Sequence, residues 1–207
     1  RQIERELGMG TPARDGPVYR SQQEGDVDIR TEAAGDSVLT VYRTPAGTVS
    51  TRHQHSEQLR RAGIGSLEVE HLVKSPADLA AVEYLYRHTA YRETYDEFAR
   101  YDADIGPDGL PLVHGGDCPF HLFLQKLAGY QNGYYLLADC PAQVERLLAV
   151  LEELDRERVW PLLANSPARL ILHGLHFDSL LTPPPLFERY IAPYYRDLSA
   201  LLHGRGK

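Results

Sequence analysis

The chain has 207 residues, 43% of them hydrophobic and 25% charged, which is the composition of a globular protein with a sizeable core. Its net charge is −7 and its lysines and arginines are scattered, so we expect no nucleic-acid partner. No apolar run approaches the roughly 20 residues of a membrane-spanning helix, so we expect no membrane partner. Two cysteines do not suggest a disulfide framework and favour a cytoplasmic location.

Residues 18–70 are predicted to form β structure. Apolar and polar residues alternate on both sides of Ala34-Gly35-Asp36, which is typical of a hairpin with a glycine-containing turn. A second turn at Thr44-Pro45-Ala46-Gly47 leads into a further strand over residues 48–53. We therefore expect an N-terminal β-hairpin region.

Helices dominate the prediction from Ser75 onward, with short buried strands over residues 110–113 and 170–172. Ser75-Pro76-Ala77-Asp78 combines the cap, the proline and the acidic first turn of a helix start. The alternation of strand and helix from residue 110 to 203 favours parallel βα units. The predicted helices cover residues 79–86, 91–103, 120–127, the segment after Pro141, and a C-terminal segment that Pro193 should kink.

Polar side chains follow the predicted strand 170–172 at the point where it ends. They are His173, His176, Asp178 and Ser179. Ligands of α/β enzymes bind at the carboxyl ends of strands, so this segment is a candidate active-site edge. Ser179 could donate a hydrogen bond to a substrate carboxylate, and Asp178 could hold a histidine. Asp178 or Thr182 could equally cap the helix that follows.

A second cluster of polar side chains follows the predicted strand 110–113. It consists of one thiol and two imidazoles, at His114, Cys118 and His121. These donors could hold a zinc ion with an open fourth position, although their spacing matches no strong motif. The alternative is a buried thiol beside two hydrogen-bonded histidines.

Several segments stand in an order and spacing that resembles the uroporphyrinogen decarboxylase superfamily. The hairpin over residues 42–48 and the segment 70–79 are similar to its less-characterised members. The resemblance covers nearly the whole chain. The other matching segments are Asp117-Cys118-Pro119-Phe120, Leu127-Ala128-Gly129, Asp139-Cys140-Pro141, Phe177-Asp178-Ser179, Leu186-Phe187 and Ile191-Ala192-Pro193-Tyr194.

The resemblance implies an α/β fold that is part of a (β/α)8 TIM-type barrel, with residues 1–207 as one incomplete domain. Residues 18–70 would be a β-hairpin elaboration and residues 71–207 the βα units. Ser179 matches the serine that binds a substrate carboxylate in the decarboxylases, and the tyrosine of the preceding segment falls on Gln125. The substrate-binding residues expected on this basis are Ser179, Asp178, His176, Gln125 and His173.

The resemblance also implies two branches of chemistry. Decarboxylases remove acetate carboxyls from a tetrapyrrole in porphyrin biosynthesis without a cofactor, whereas the corrinoid-linked methyltransferases use zinc and a corrinoid. Gln125 and the hairpin at Thr44–Gly47 favour a methyltransferase-like paralogue, with the decarboxylase as the alternative. A third alternative is a non-catalytic barrel that binds a tetrapyrrole or a partner protein.

The expected partners follow from these branches. They are a tetrapyrrole, a corrinoid or a small methylated substrate, together with a second copy of the chain in a homodimer. Both ends of the sequence resemble interrupted helices, so we expect the residues that decide the reaction to lie outside residues 1–207.

Overall fold

The computed structural model describes residues 6–7, 10, 13, 16–174 and 177–207. The chain divides into two compact units. The first unit comprises Arg1–Gln22, Ala90–Cys118 and Glu152–Lys207, and the second unit comprises Gln23–Thr89 and Pro119–Leu151.

Strands and helices follow one another along both units. The strands are β1 (Tyr19–Gln23), β2 (Asp28–Ala34), β3 (Ser37–Thr44), β4 (Gly47–Gln54), β5 (Leu67–Glu70), β6 (Thr89–Glu93), β7 (Leu112–Gly116) and β8 (Leu170–His173). The helices are α1 (Glu57–Arg61), α2 (Leu79–Arg87), α3 (Tyr95–Ile105), α4 (Pro119–Leu122), α5 (Tyr130–Asp139), α6 (Pro141–Leu154), α7 (Trp160–Asn165), α8 (Pro184–Leu186) and α9 (Ala192–His203). Single 3₁₀ turns occupy Pro76–Asp78 and Gly106–Asp108, and π-helical turns occupy Phe123–Leu127, Asp155–Val159 and Phe187–Ile191.

The second unit contains an antiparallel sheet with the strand order β2-β3-β4-β5. Ala34 pairs with Ser37 and Thr44 pairs with Gly47, so the first two connections are two-residue turns. Gly35 has a φ of 59°, the left-handed conformation that such turns require. Both turns were predicted from the sequence and are confirmed, whereas residues 57–61 within the predicted β region form the helix α1.

The start of α2 in the second unit is fixed by one carboxylate. Oδ2 of Asp78 accepts hydrogen bonds from the backbone N–H groups of Ser75, at 2.8 Å, and Lys74, at 2.9 Å. It also accepts one from the Ser75 hydroxyl at 3.1 Å. The predicted helix start is therefore confirmed, and α2 buries Leu79 and Val82 in the core.

The first unit contains two pairs of strands. β7 and β8 are parallel, with Leu112 opposite Leu170, which confirms the parallel pairing predicted for these strands. β1 pairs with β6. The helix predicted over residues 91–103 is wrong over residues 91–93, because pairing with β1 holds these residues in a strand. The helix α3 begins only at Tyr95.

The expected TIM-type barrel is wrong. Among the described residues the strands form sheets of two, four and two members; the four-stranded sheet is antiparallel, and the pair β7–β8 is parallel. Two-residue turns between β2, β3 and β4 can join only antiparallel neighbours. The helical alternation after residue 110 supplies two parallel strands, β7 and β8, rather than the series of strands that a barrel needs.

Within the part of the chain that the structure describes, no helix is long and apolar enough to cross a lipid bilayer.

Candidate functional site

A hydrogen-bonded network in the first unit joins the end of β8 to three helical segments. Its centre is the hydroxyl of Tyr194 on α9, which accepts a hydrogen bond from Nε1 of Trp160 at 2.9 Å and donates one to Oδ2 of Asp155 at 2.8 Å. Nε2 of His173 lies 3.4 Å from the same oxygen, and Nδ1 of His173 lies 3.2 Å from the hydroxyl of Tyr195. We call these five side chains the relay cluster.

A π-helical turn explains how Asp155 and Trp160 reach one hydroxyl. Five residues along an α-helix turn the side chain by about 140° from the starting direction, so the two would point apart. The turn over Asp155–Val159 is π-helical, and its i to i+5 bonding brings positions five residues apart onto one face. The irregularity between α6 and α7 therefore builds the cluster.

The carboxyl of Asp155 is held partly protonated near neutral pH. Burial is the main cause that raises its pKa from 3.8 to about 7. The charge of Glu152 also raises this pKa, whereas the hydrogen bond from Tyr194 lowers it. Two more phenols face this carboxyl: burial and the charge of Asp155 raise the pKa of Tyr91, and burial is the main cause that raises the pKa of Tyr19 to about 12. Asp155 is thus suited to give or take a proton at physiological pH.

His173 remains neutral over the same pH range. It is the last residue of β8, and burial lowers its pKa to about 4, although the charge of Asp117 opposes this. Its ring lies over the backbone of β7, since a Cβ added to Gly115 would come within 2.9 Å of its Cδ2. A glycine is required there for the imidazole to occupy its position.

Tyr195 forms the outer end of the relay cluster. Its hydroxyl is hydrogen-bonded to both the backbone and the thiol of Cys118, and burial is the main cause that raises its pKa. The ring of Phe177 meets that of Tyr195 edge-on at 5.6 Å, and Phe177 in turn meets Phe187 at 6.0 Å. Phe177 is 44% exposed, so an apolar ring open to solvent adjoins the ring of Tyr195.

The structure places the substrate-binding residues predicted from the sequence in different environments. His173 belongs to the relay cluster. Asp178 and Ser179 lie in an exposed turn, where Oδ1 of Asp178 accepts the Leu180 N–H at 2.7 Å. That bond closes a local turn. The helix α8 begins at Pro184 with Pro183 as its N-cap and no side-chain capping bond, so Asp178 does not cap it. His176 lies outside the described residues.

Gln125 belongs to the second unit, on the π-helical turn Phe123–Leu127. Its Nε2 donates to the hydroxyl of Tyr130 at 3.0 Å, and that hydroxyl lies 3.4 Å from Nε2 of the fully buried His121. The side chain is half-buried and engaged by protein groups, so a role in substrate binding stays a prediction.

The predicted zinc ligands do not fit a metal ion. Among the described residues no three His, Cys, Asp or Glu side chains are grouped so that they could hold one. His114 is exposed on β7, and Cys118 is buried against Tyr195. The structure thus favours the alternative for Cys118, a buried and hydrogen-bonded thiol.

Four members of the relay cluster were not predicted from the sequence. The spacing of Asp155 nevertheless indicates a buried position. The apolar stripe of α6 runs through Leu148 and Leu151 to Leu154, and Asp155 stands four residues after Leu151. That spacing puts a carboxylate on the buried face of the helix.

A pocket of about 460 Å³ lies in the second unit, and a neighbouring one of about 330 Å³ shares His71 and Asn132 with it. Lys74 lines the smaller pocket, but its Nζ donates to the backbone carbonyls of Ser50, at 2.6 Å, and His71, at 2.9 Å. Its ammonium is therefore satisfied by the protein, and the first unit is the better candidate for chemistry.

Comparison of the sequence with models of known protein families gives no match, and comparison with curated proteins gives none either. The resemblance to the uroporphyrinogen decarboxylase superfamily therefore stays a prediction.

Proposed function

We propose that the chain belongs to an enzyme that removes a carboxyl group from a small carboxylated molecule and protonates the carbon left behind. The bond between the carboxyl carbon and its neighbour breaks, CO2 leaves, and the electron pair stays on the neighbouring carbon, which takes a proton. The sum is R–COO⁻ + H⁺ → R–H + CO2. This is the chemistry of the decarboxylase branch of the resemblance, and we place it in the cytoplasm.

One observation carries the proposal: a half-buried carboxyl with a pKa of about 7 is hydrogen-bonded to a buried tyrosine. A general acid works best when its pKa lies near the working pH, because it is then protonated and still able to release its proton. Asp155 meets this condition. His173, with a pKa of about 4, stays neutral and can pass a proton without holding one.

The apolar surface beside Tyr195 supports a substrate with a large apolar body. Phe177 is exposed next to the Tyr195 ring, and its own ring meets those of Tyr195 and Phe187 edge-on. A tetrapyrrole ring would cover this surface while its acetate groups approach Tyr195. Neither Cys118 nor Cys140 forms a disulfide, which fits a reducing compartment.

The methyltransferase branch requires a zinc centre to activate its thiol acceptor. The described residues offer no group of three donors for such an ion, so we derive no step through zinc or a corrinoid.

The test is a turnover assay on the purified chain with uroporphyrinogen, in which acetate groups converted to methyl groups are counted by chromatography. Asp155→Asn should lower the rate at least about 100-fold, the loss expected for removal of a general acid. Asp96→Asn is the matched control, since Asp96 is exposed in the first turn of α3.

Two outcomes would overturn the proposal. Binding of uroporphyrinogen without turnover indicates the non-catalytic alternative. Formation of a thioether from a methylcorrinoid and a free thiol, with no loss of carboxyl from uroporphyrinogen, indicates the methyltransferase branch.

A further inference from the structure

The two tyrosine hydroxyls of the relay cluster each have one bonding position already taken. A hydroxyl has one proton to donate and two lone pairs, and an indole N–H can only donate. Trp160 therefore occupies one lone pair of Tyr194, at 2.9 Å. The backbone N–H of Cys118 occupies one lone pair of Tyr195 in the same way.

Each hydroxyl is left with one proton and one lone pair for its two remaining neighbours. Tyr194 faces Asp155 at 2.8 Å and His173 at 3.4 Å. Tyr195 faces His173 at 3.2 Å and the thiol of Cys118. If Tyr194 donates to one neighbour, it must accept from the other, so the orientation of one hydrogen bond fixes the next.

We propose that Asp155, Tyr194, His173 and Tyr195 form a proton relay with two allowed directions, and that Trp160 is the positioning residue that enforces them. When Asp155 is ionised, Tyr194 donates to it, Nε2–H of His173 donates to Tyr194, and Tyr195 donates to Nδ1. When Asp155 is protonated, it donates to Tyr194, Tyr194 donates to Nε2, and Nδ1–H donates to Tyr195. Tyr195 then donates to the sulfur of Cys118.

One delivery converts the second arrangement into the first. Tyr195 gives its proton to the acceptor in place of the Cys118 sulfur, each inner group passes one proton along, and Asp155 ends ionised. No bond other than O–H and N–H changes, and charge is conserved. The inference rests on the proposed function only for the identity of the acceptor, which is the substrate carbon.

The relay predicts that the tautomer of His173 changes with the charge of Asp155. Nε2–H should prevail above pH 7 and Nδ1–H between pH 5 and 7. Glu152 on the preceding helix, Tyr19 on β1, Tyr91 on β6, Asp117 after β7 and Cys118 beside it also face the cluster. Tyr19 and Tyr91 have raised pKa values and do not ionise in this range.

The tautomer is measured by ¹⁵N NMR of the imidazole in the whole chain, with the signal assigned through His173→Gln. In the wild type the protonated nitrogen should switch with a midpoint near pH 7. In Asp155→Asn, the tautomer should no longer change near that pH. A single unchanging tautomer from pH 5.5 to 8.5 in the wild type would overturn the relay.

Trp160 is the one tryptophan of the chain, so biosynthetic replacement reaches this site alone. A benzothienyl analogue keeps the shape but lacks the N–H, and 5-fluorotryptophan keeps the N–H as the matched control. Loss of one hydrogen bond changes the ratio of the two His173 tautomers about 2- to 10-fold. The protein with the benzothienyl analogue should therefore show mixed tautomers where the 5-fluorotryptophan control shows one. Equal tautomer ratios in the two proteins would show that Trp160 does not enforce the direction.

Failure of the relay and failure of the proposed function have separate signatures. A tautomer switch without loss of carboxyl from uroporphyrinogen leaves the relay standing and removes the proposed function. Carboxyl loss by a protein whose His173 tautomer does not change would leave the proposed function standing and remove the relay.

Discussion

Oδ2 of Asp155 lies 2.8 Å from the hydroxyl of Tyr194, and Nε2 of His173 lies 3.4 Å from that hydroxyl. Burial acts on the two titratable groups in opposite directions. It raises the pKa of the acid to about 7 and lowers that of the imidazole to about 4, because in each case the charged form loses its hydration. One tyrosine therefore joins two groups that both favour neutrality, and this has consequences for stability.

Asp155→Asn should make the protein more stable, relative to wild type, as the pH rises from about 4 to 7. The folded state of the wild type keeps the Asp155 proton in this window and the unfolded state has lost it, so the contribution of Asp155 to stability falls. The difference between variant and wild type should grow by at most about 1.4 kcal/mol per pH unit. Urea denaturation at half-unit pH intervals measures it, and a difference independent of pH would contradict a raised pKa.

His173→Gln should show the opposite trend. The folded wild type keeps His173 neutral down to about pH 4, whereas the unfolded chain takes up the proton near pH 6.5. The imidazole thus stabilises the wild type increasingly as the pH rises from 4 to 6.5, and the variant lacks this gain. Its stability relative to wild type should fall over that window in the same urea series. A rise would show that His173 is protonated in the fold.

The parts of the fold that the sequence predicted are those set by neighbouring residues. The hairpin around Gly35 and the helix start at Asp78 depend on turn and capping chemistry within a few positions. β6 was missed because its strand conformation depends on β1, about 70 residues earlier. The barrel was expected from a resemblance in segment order, and order alone does not determine which strands pair.

The candidate site was harder to predict for the same reason. His173 was found because it ends a strand, a local signal. Its partners Trp160 and Tyr194 are 34 residues apart in the sequence and meet only through packing of α7 and α9. The π-helical turn that aims Asp155 has no signature in the apolar spacing of α6, which runs unbroken up to Leu154.

Asp78→Ala should destabilise the second unit by about 1–2 kcal/mol. The substitution removes the acceptor of three hydrogen bonds, from the N–H groups of Lys74 and Ser75 and from the Ser75 hydroxyl. Asp96→Ala is the control, because that aspartate is exposed in the first turn of α3. Thermal or urea unfolding measures both. Equal effects of the two substitutions would show that the three hydrogen bonds to Asp78 add nothing beyond the effect of a negative charge at the helix start.

Gly174→Ala should destabilise the protein much more than Gly206→Ala, although both glycines have a φ of 74°. Each alanine pays the cost of a left-handed conformation, about 1–2 kcal/mol. A Cβ at Gly206 meets nothing within 4 Å, whereas at Gly174 it would overlap the hydroxyl of Tyr195 and come within 2.8 Å of the Phe177 ring.

The two substitutions therefore separate backbone strain from contact at the outer end of the relay cluster. Gly206→Ala should lower the free energy of unfolding by the strain alone and leave the His173 tautomer unchanged. Gly174→Ala should add a further loss and displace the Tyr195 hydroxyl from Nδ1 of His173, which changes the imidazole ¹⁵N signal. Equal unfolding free energies for the two variants, with unchanged imidazole signals, would mean that Tyr195 does not stand against Gly174.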